Sequence, residues 1–288
     1  MLRGRHDAGC SGGHPSAGAT VTSQMVACAP ASGRAVRMTT ALAGMVALTA
    51  GQAAQVRLRY GGAPPGVPHI DVTVTPSGPA RAGGAALELA VFGDSSVAGV
   101  GVHNLEETLP VQVAQRVADG SGRAVHVVGY GRSGARTRDV LVRQVPAVRH
   151  APDVAVLVVG TNDVTHLTPL ADLAHSSAEL YSALTRRGTP LVVSSLPEFR
   201  AMGSLPNPLR AAARTYAGLV GIVQDRAASQ NESVHLVDVR RAVGREFIDD
   251  ASTMSPDQFH PSATGYGRIA DALAPTVLAV LRTPGQAD

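Results

Sequence analysis

The chain has 288 residues, 44% of them apolar, enough to bury one large core or two small ones. Its formal net charge is only +3, and its cations, all arginine, are scattered rather than striped, which argues against nucleic acid as a partner. Charged residues make up 16%, below the roughly 25% usual in soluble domains, yet the composition is neither disordered nor that of a disulfide framework. Aromatics are 3% and Trp is absent, so Ala and Val must do most of the packing. Cys10 and Cys28 are the only cysteines, and neither has a His or Cys partner at metal-ligand spacing.

In chain order, residues 1–37 show no hydrophobic period and read as disordered, or as translated upstream of the true start, with Met25 and Met38 as alternatives. Residues 38–56 carry no charge and lie between Arg34, Arg37 and Arg57, Arg59. They resemble a signal-peptide core or a short membrane anchor, although Ala, Thr and Gly dominate. That points to the cell envelope or the extracellular space, with a cytoplasmic protein as the alternative. Residues 57–84 are rich in Gly and Pro and read as a linker, so the folded domain is expected over 85–288.

Within that domain strands and helices alternate. Leu87–Phe92, Ala124–Val128, Val154–Val159, Leu191–Ser194 and Val234–Val237 are short apolar runs that read as buried strands. Between and after them, Thr108–Ala118, Ala135–Val148, Leu170–Arg187, Leu209–Ala228 and Tyr266–Leu281 have helical spacing. Uniformly apolar strands alternating with helices imply a parallel sheet covered on both faces, an α/β fold. In such sheets the working residues sit on loops at the carboxyl ends of strands.

Those loops carry candidate chemistry. Gly93-Asp94-Ser95-Ser96 follows the first strand, where a serine on a tight turn can expose its hydroxyl or merely cap a helix. Gly129-Tyr130-Gly131-Arg132-Ser133-Gly134 follows the second and matches G-x-G-x-x-G. The acidic residue a dinucleotide site requires comes too late, in a different context, so the glycines are better used to aim backbone N–H groups at an anion. Gly160-Thr161-Asn162-Asp163 follows the third strand, and Asn162 offers a carboxamide donor or an Asx-turn. Asp257-Gln258-Phe259-His260 precedes the last helix, where a carboxylate three residues before a histidine can fix its tautomer.

Together these four segments resemble the four sequence blocks of the SGNH/GDSL hydrolase superfamily, over about residues 85–285. The resemblance implies a three-layer α/β/α fold of flavodoxin-like type with a five-stranded parallel sheet. It also implies a serine ester hydrolase acting through an acyl-enzyme on small-molecule or lipid-like esters of short-to-medium acyl length. It assigns Ser95 as nucleophile, His260 as base, Asp257 as its partner, and the Ser95 and Gly134 amides with the Asn162 side chain as oxyanion hole. The sequence departs from the family pattern at Gly129, where many members carry Asn, and in reading Gly-Asp-Ser-Ser rather than Gly-Asp-Ser-Leu. An acyltransferase on the same triad and a catalytically silent ligand-binding domain stay open as alternatives.

An α/β-hydrolase elbow is not indicated. The one G-x-S-x-G, Gly9-Cys10-Ser11-Gly12-Gly13, follows no strand. The histidines are dispersed, and neither metal nor cofactor is expected. In the Pro-rich loop after the fourth strand, Leu196, Phe199, Met202 and Leu205 suit an acyl pocket or core packing equally well.

Overall fold

The computed structural model describes residues 43–55, 67, 69–78 and 84–282; the expectations for residues 1–37 lie outside them. Six strands form one sheet: β1 Asp71–Val74, β2 Leu87–Gly93, β3 Val125–Gly129, β4 Val154–Val158, β5 Leu191–Ser194 and β6 Val234–Val237. Their order is β1-β3-β2-β4-β5-β6. Strands β2 to β6 are parallel and largely apolar, in keeping with helices on both faces, with Glu88, His126 and His235 as the charged or titratable exceptions.

The sheet is larger than expected by one strand. Within the stretch read as a linker, β1 pairs antiparallel with β3, Thr73 opposite His126, and makes the sheet mixed. A cross-strand group secures this edge: His126 lies 2.7 Å from Glu88 and 2.8 Å from Asp71 through its two ring nitrogens. Hydrogen bonds to Glu88 and then Asp71 raise its pKa above the ordinary histidine value, favouring the cation that both carboxylates attract.

Helices cover both faces. They are α1 at 43–55, α2 Leu109–Ser121, α3 Thr137–Asp139, α4 Thr161–Thr165, α5 Leu170–Thr185, α6 Leu209–Ala228, α7 Val239–Asp249 and α8 Ala263–Arg282. Strand alternation sorts the core by face. Leu89 and Val91 of β2 and Val156 of β4 pack with α2, α7 and α8 around Val113, Val239 and Tyr266. Ala90, Phe92 and Leu157 point the other way, onto Val140, Leu180 and Tyr181. The helix expected over Ala135–Val148 is broken: α3 passes into one π-helical turn, Val140–Gln144, and then a 3-10 turn, Val145–Ala147.

α1 occupies part of the uncharged 38–56 stretch and is largely exposed. Its Gln52 side chain bonds Asn207 O at 2.9 Å and Leu209 N–H at 3.1 Å. Among the described residues no helix is long and apolar enough to cross a membrane.

Candidate active site

The site forms where β2 and β4 lie side by side, with Gly93 opposite Val158 at their carboxyl ends. A Cβ on Gly93 would stand 2.1 Å from Val158 O, so only glycine lets the two strands run this close as the chain turns into Asp94-Ser95. Ala98 N–H bonds Asp94 O and Val100 N–H bonds Ser95 O, each at 3.0 Å, closing a tight turn. From α8, the Tyr266 hydroxyl donates to Val100 O at 2.5 Å and ties that turn to the helix behind it.

The loop that carries Asp257 and His260 is folded on itself. Met254 pairs with Pro261, Ser255 N–H bonds His260 O at 2.9 Å, and Gln258 adopts φ 57. This reversal turns Asp257 and His260 toward one another. His260 Nδ1 lies 2.6 Å from Asp257 Oδ2, and His260 Nε2 lies 3.1 Å from Ser95 Oγ. Because an ionised carboxylate can only accept, the ring carries its proton on Nδ1 and presents Nε2 as acceptor to the serine hydroxyl. Asp257 Oδ1 accepts from Ser255 Oγ at 2.8 Å, Phe259 N–H at 2.8 Å and His260 N–H at 2.9 Å. Burial opposes ionisation of Asp257, but hydrogen bonds from His260, Phe259 and Ser255 outweigh it and hold its carboxyl well below the usual carboxylate range.

The glycine-rich loop after β3 is pressed on the serine turn. A Cβ on Gly131 would lie 2.4 Å from Ala98 N, and Arg132 N–H bonds Gly93 O at 3.2 Å. The Asn162 side chain donates to Ala135 O at 3.1 Å, directly after Gly134. Buried Asp163 accepts from the Thr137 N–H at 2.9 Å and the Thr137 hydroxyl at 2.8 Å. The three loops that carry Ser95, Gly134 and Asn162 are thus fastened into one unit. Among the described residues the N–H groups of Ser95 and Gly134 have no protein acceptor. The carboxamide of Asn162 has a second hydrogen beyond the one given to Ala135.

A pocket of about 70 Å³ opens beside Ser95 and His260. Leu196 and Met202 line it from the loop after β5, Val243 and Phe247 from α7, and Ile269 from α8. Phe199 and Leu205, the other acyl-pocket candidates, instead pack in the core with Val164, Leu173 and Val220. Among the described residues no group of three or more His, Cys, Asp or Glu side chains could hold a metal ion.

Several site residues had escaped the sequence reading. Asp94, 2% exposed, lies beside Ser95; burial pushes its carboxyl up to about 6 against the hydrogen bond from Ser96 N–H. Ser255, Asp163 and Tyr266 hold loops rather than line the space beside the Ser95 hydroxyl; Asp163 directly follows Asn162 and Ser255 lies two residues before Asp257, whereas Tyr266 is six residues beyond His260.

Comparison with known families adds to this geometry. The sequence profile of the GDSL-like lipase/acylhydrolase family matches residues 91–268, more than half of the chain. The chain belongs to that family. A GDSL-like esterase of Mycobacterium tuberculosis is 30% identical over 190 residues, covering 65% of this chain and 60% of that relative, so the chain matches about three-fifths of the relative's length. Among solved structures, the family 3 carbohydrate esterase of Clostridium thermocellum is 20% identical with TM-score 0.54, over 70% of this chain and all of that one. A psychrotrophic esterase from a Pseudoalteromonas species, in a form inhibited by monoethylphosphonate, is 16% identical with TM-score 0.54, over 68% and 99%. These likenesses show a shared α/β fold. The GDSL family comprises ester hydrolases, and its profile spans the serine turn, the glycine loop, the Gly-x-Asn-Asp loop and the Asp-x-x-His loop.

Proposed function

We propose that the protein is a serine esterase that cleaves short-to-medium acyl esters through an acyl-enzyme on Ser95. The observation that carries the reading is the continuous chain from Ser95 Oγ to His260 Nε2, at 3.1 Å, and from His260 Nδ1 to Asp257 Oδ2, at 2.6 Å. In this mechanism His260 takes the proton as Ser95 Oγ bonds to the ester carbonyl carbon. The carbonyl oxygen gains negative charge, which the N–H groups of Ser95 and Gly134 and the Asn162 side chain receive. Collapse breaks the bond to the alcohol, which leaves with the proton from His260. Water then attacks the acyl-Ser95 carbonyl, giving its proton to His260, and the acid departs as Ser95 recovers its hydrogen. Asp257 keeps the imidazole in the working tautomer and stabilises its cation throughout.

The pocket supports the acyl preference. One water requires roughly 10–15 Å³ of such space, so 70 Å³ holds a chain of only a few heavy atoms. Leu196, Met202, Val243, Phe247 and Ile269 make its lining mostly apolar, with Glu198 and Arg240 among the polar lining residues, and this favours an alkyl group over a polar one.

The test is covalent labelling with an alkyl phosphonate ester, read by mass spectrometry of the peptide that holds Ser95. One adduct on Ser95 in the wild type is expected. The Ser95→Ala variant should lose the adduct and nearly all turnover, a fall of order ~10⁶ in kcat. More than a tenth of wild-type kcat in a clean Ser95→Ala preparation would overturn the assignment.

A further inference from the structure

Beyond the end of β3 at Gly129 the chain gives β2 donors but no further acceptor: Tyr130 N–H bonds Val91 O at 2.8 Å and Arg132 N–H bonds Gly93 O at 3.2 Å, while no backbone carbonyl of this segment accepts from Gly93 N–H. β2 continues to Gly93. Alternate residues of a parallel strand turn both their N–H and C=O to the same neighbour. Gly93, two beyond Val91, therefore directs its N–H to the β3 side, where no backbone carbonyl accepts it. A buried N–H with no acceptor is rarely tolerated.

Gln144 fills the gap. Its Oε1 accepts from Gly93 N–H at 3.0 Å and its Nε2 donates to Gly93 O at 2.7 Å, so one side chain supplies the acceptor the backbone lacks and shares Gly93 O with the Arg132 amide. The residue is 2% exposed and closes the π-helical turn Val140–Gln144. Such wide turns recur at functional positions in other proteins. On the opposite edge, Asp94 N–H bonds Val158 O at 3.3 Å. The peptide from which the Ser95 turn springs is thus held by backbone toward β4, and by Gln144 with the Arg132 amide toward β3.

We propose that Gln144 is a positioning residue for the nucleophile, its carboxamide oxygen standing in for the strand carbonyl that Gly93 N–H lacks. The inference rests on Ser95 being the nucleophile. Gln144 does not line the pocket, so it acts on the reaction only by setting where the Ser95 hydroxyl and amide point. Losing it should slow acylation and leave substrate binding alone.

Gln144→Leu keeps the volume and deletes both hydrogen bonds. Val140→Ala, in the same turn, removes buried packing but leaves the Gly93 bonds in place. For Gln144→Leu, kcat and the phosphonylation rate of Ser95 should fall together by about 10- to 100-fold, the scale of a misplaced reacting group. KM should stay within about threefold, as for a loss confined to the transition state. Val140→Ala should lower the thermal midpoint with kcat retained. A folded Gln144→Leu protein with kcat within about twofold of wild type would overturn the proposal. So would an equal kcat loss in Val140→Ala at matched loss of stability. If Gln144→Leu does not fold, Gln144→Glu decides. It keeps an acceptor for Gly93 N–H but sets a carboxylate against Gly93 O, and full kcat in that variant would refute the role. Absence of any Ser95 adduct in the wild type is a separate result, which would remove the esterase reading itself.

Discussion

Asp257→Asn isolates the orienting role of the carboxylate from its structural one. Oδ1 takes three hydrogen bonds, from Ser255 Oγ, Phe259 N–H and His260 N–H, and the carbonyl oxygen of asparagine can accept all three. Only the 2.6 Å contact with His260 Nδ1 changes character, because an NH₂ now faces the ring nitrogen. Nδ1 must then accept, the ring proton moves to Nε2, and the nitrogen 3.1 Å from Ser95 Oγ becomes a donor that cannot take the serine proton. In a Ser-His-Asp enzyme of unrelated fold the same change lowers kcat by about 10⁴ with geometry intact. At about 1.36 kcal/mol per decade that is roughly 5.5 kcal/mol of transition-state stabilisation. The assay is steady-state and burst kinetics on a chromogenic short-chain ester near pH 8, with near-ultraviolet circular dichroism as the fold control. A fall of about 10⁴ in kcat with little change in KM is expected. A natively folded variant with kcat within about tenfold of wild type would show that Asp257 does not govern the tautomer, and the proposed proton path would fail.

Two further outcomes follow from the same geometry. Asn162→Ala should lower kcat by about 10²–10³, with KM nearly unchanged, as for loss of one oxyanion donor; unchanged kcat would reduce Asn162 to its bond with Ala135 O, 3.1 Å long. Asp94 has its folded pKa pushed up to about 6 from 3.8, so the folded state holds the extra proton across that window and stability falls as pH rises through it. Asp94→Asn retains an acceptor for Ser96 N–H and removes this penalty. Relative to wild type it should therefore gain on the order of 3 kcal/mol between pH 4 and pH 7 in denaturant titrations, and equal pH dependence in the two proteins would contradict the burial argument.

What could be read in the sequence, and what could not, divides along a physical line. Strands β2 to β6 were legible because strands covered on both faces are mostly apolar, and runs such as Val154–Val158 admit few other readings. β1 was not legible. Asp71-Val-Thr-Val is a half-exposed edge four residues long in a Gly- and Pro-rich stretch, and the partners that fix it, His126 and Glu88, lie 55 and 17 residues away along the chain. α7 was passed over for a related reason. Its first turn reads Val-Arg-Arg, and its apolar positions Val239, Val243 and Phe247 acquire meaning only against α8 and the pocket. The broken helix at 135–148 shows the limit most sharply. Helical spacing cannot announce a π-turn, because the turn is held by what Gln144 bonds to, 51 residues upstream.

The same line divides the site. Ser95, Asp257, His260 and Asn162 stood out because proton transfer and oxyanion binding demand particular groups on the loops of such a sheet, and the family resemblance supplied their roles and added Gly134. Gln144, Tyr266 and Ser255 hold backbone or carboxylate atoms, a task that many polar side chains can perform from many positions, so no local pattern marks them. Their constraint is geometric rather than chemical. It follows that substitutions at the nominated residues should change which reaction steps remain possible, whereas those at the supporting residues should change how well aligned the same steps are. The two groups are therefore separable by kinetics. Loss of a group such as Ser95 removes the covalent adduct altogether, while loss of Gln144 slows its formation and leaves its stoichiometry at one.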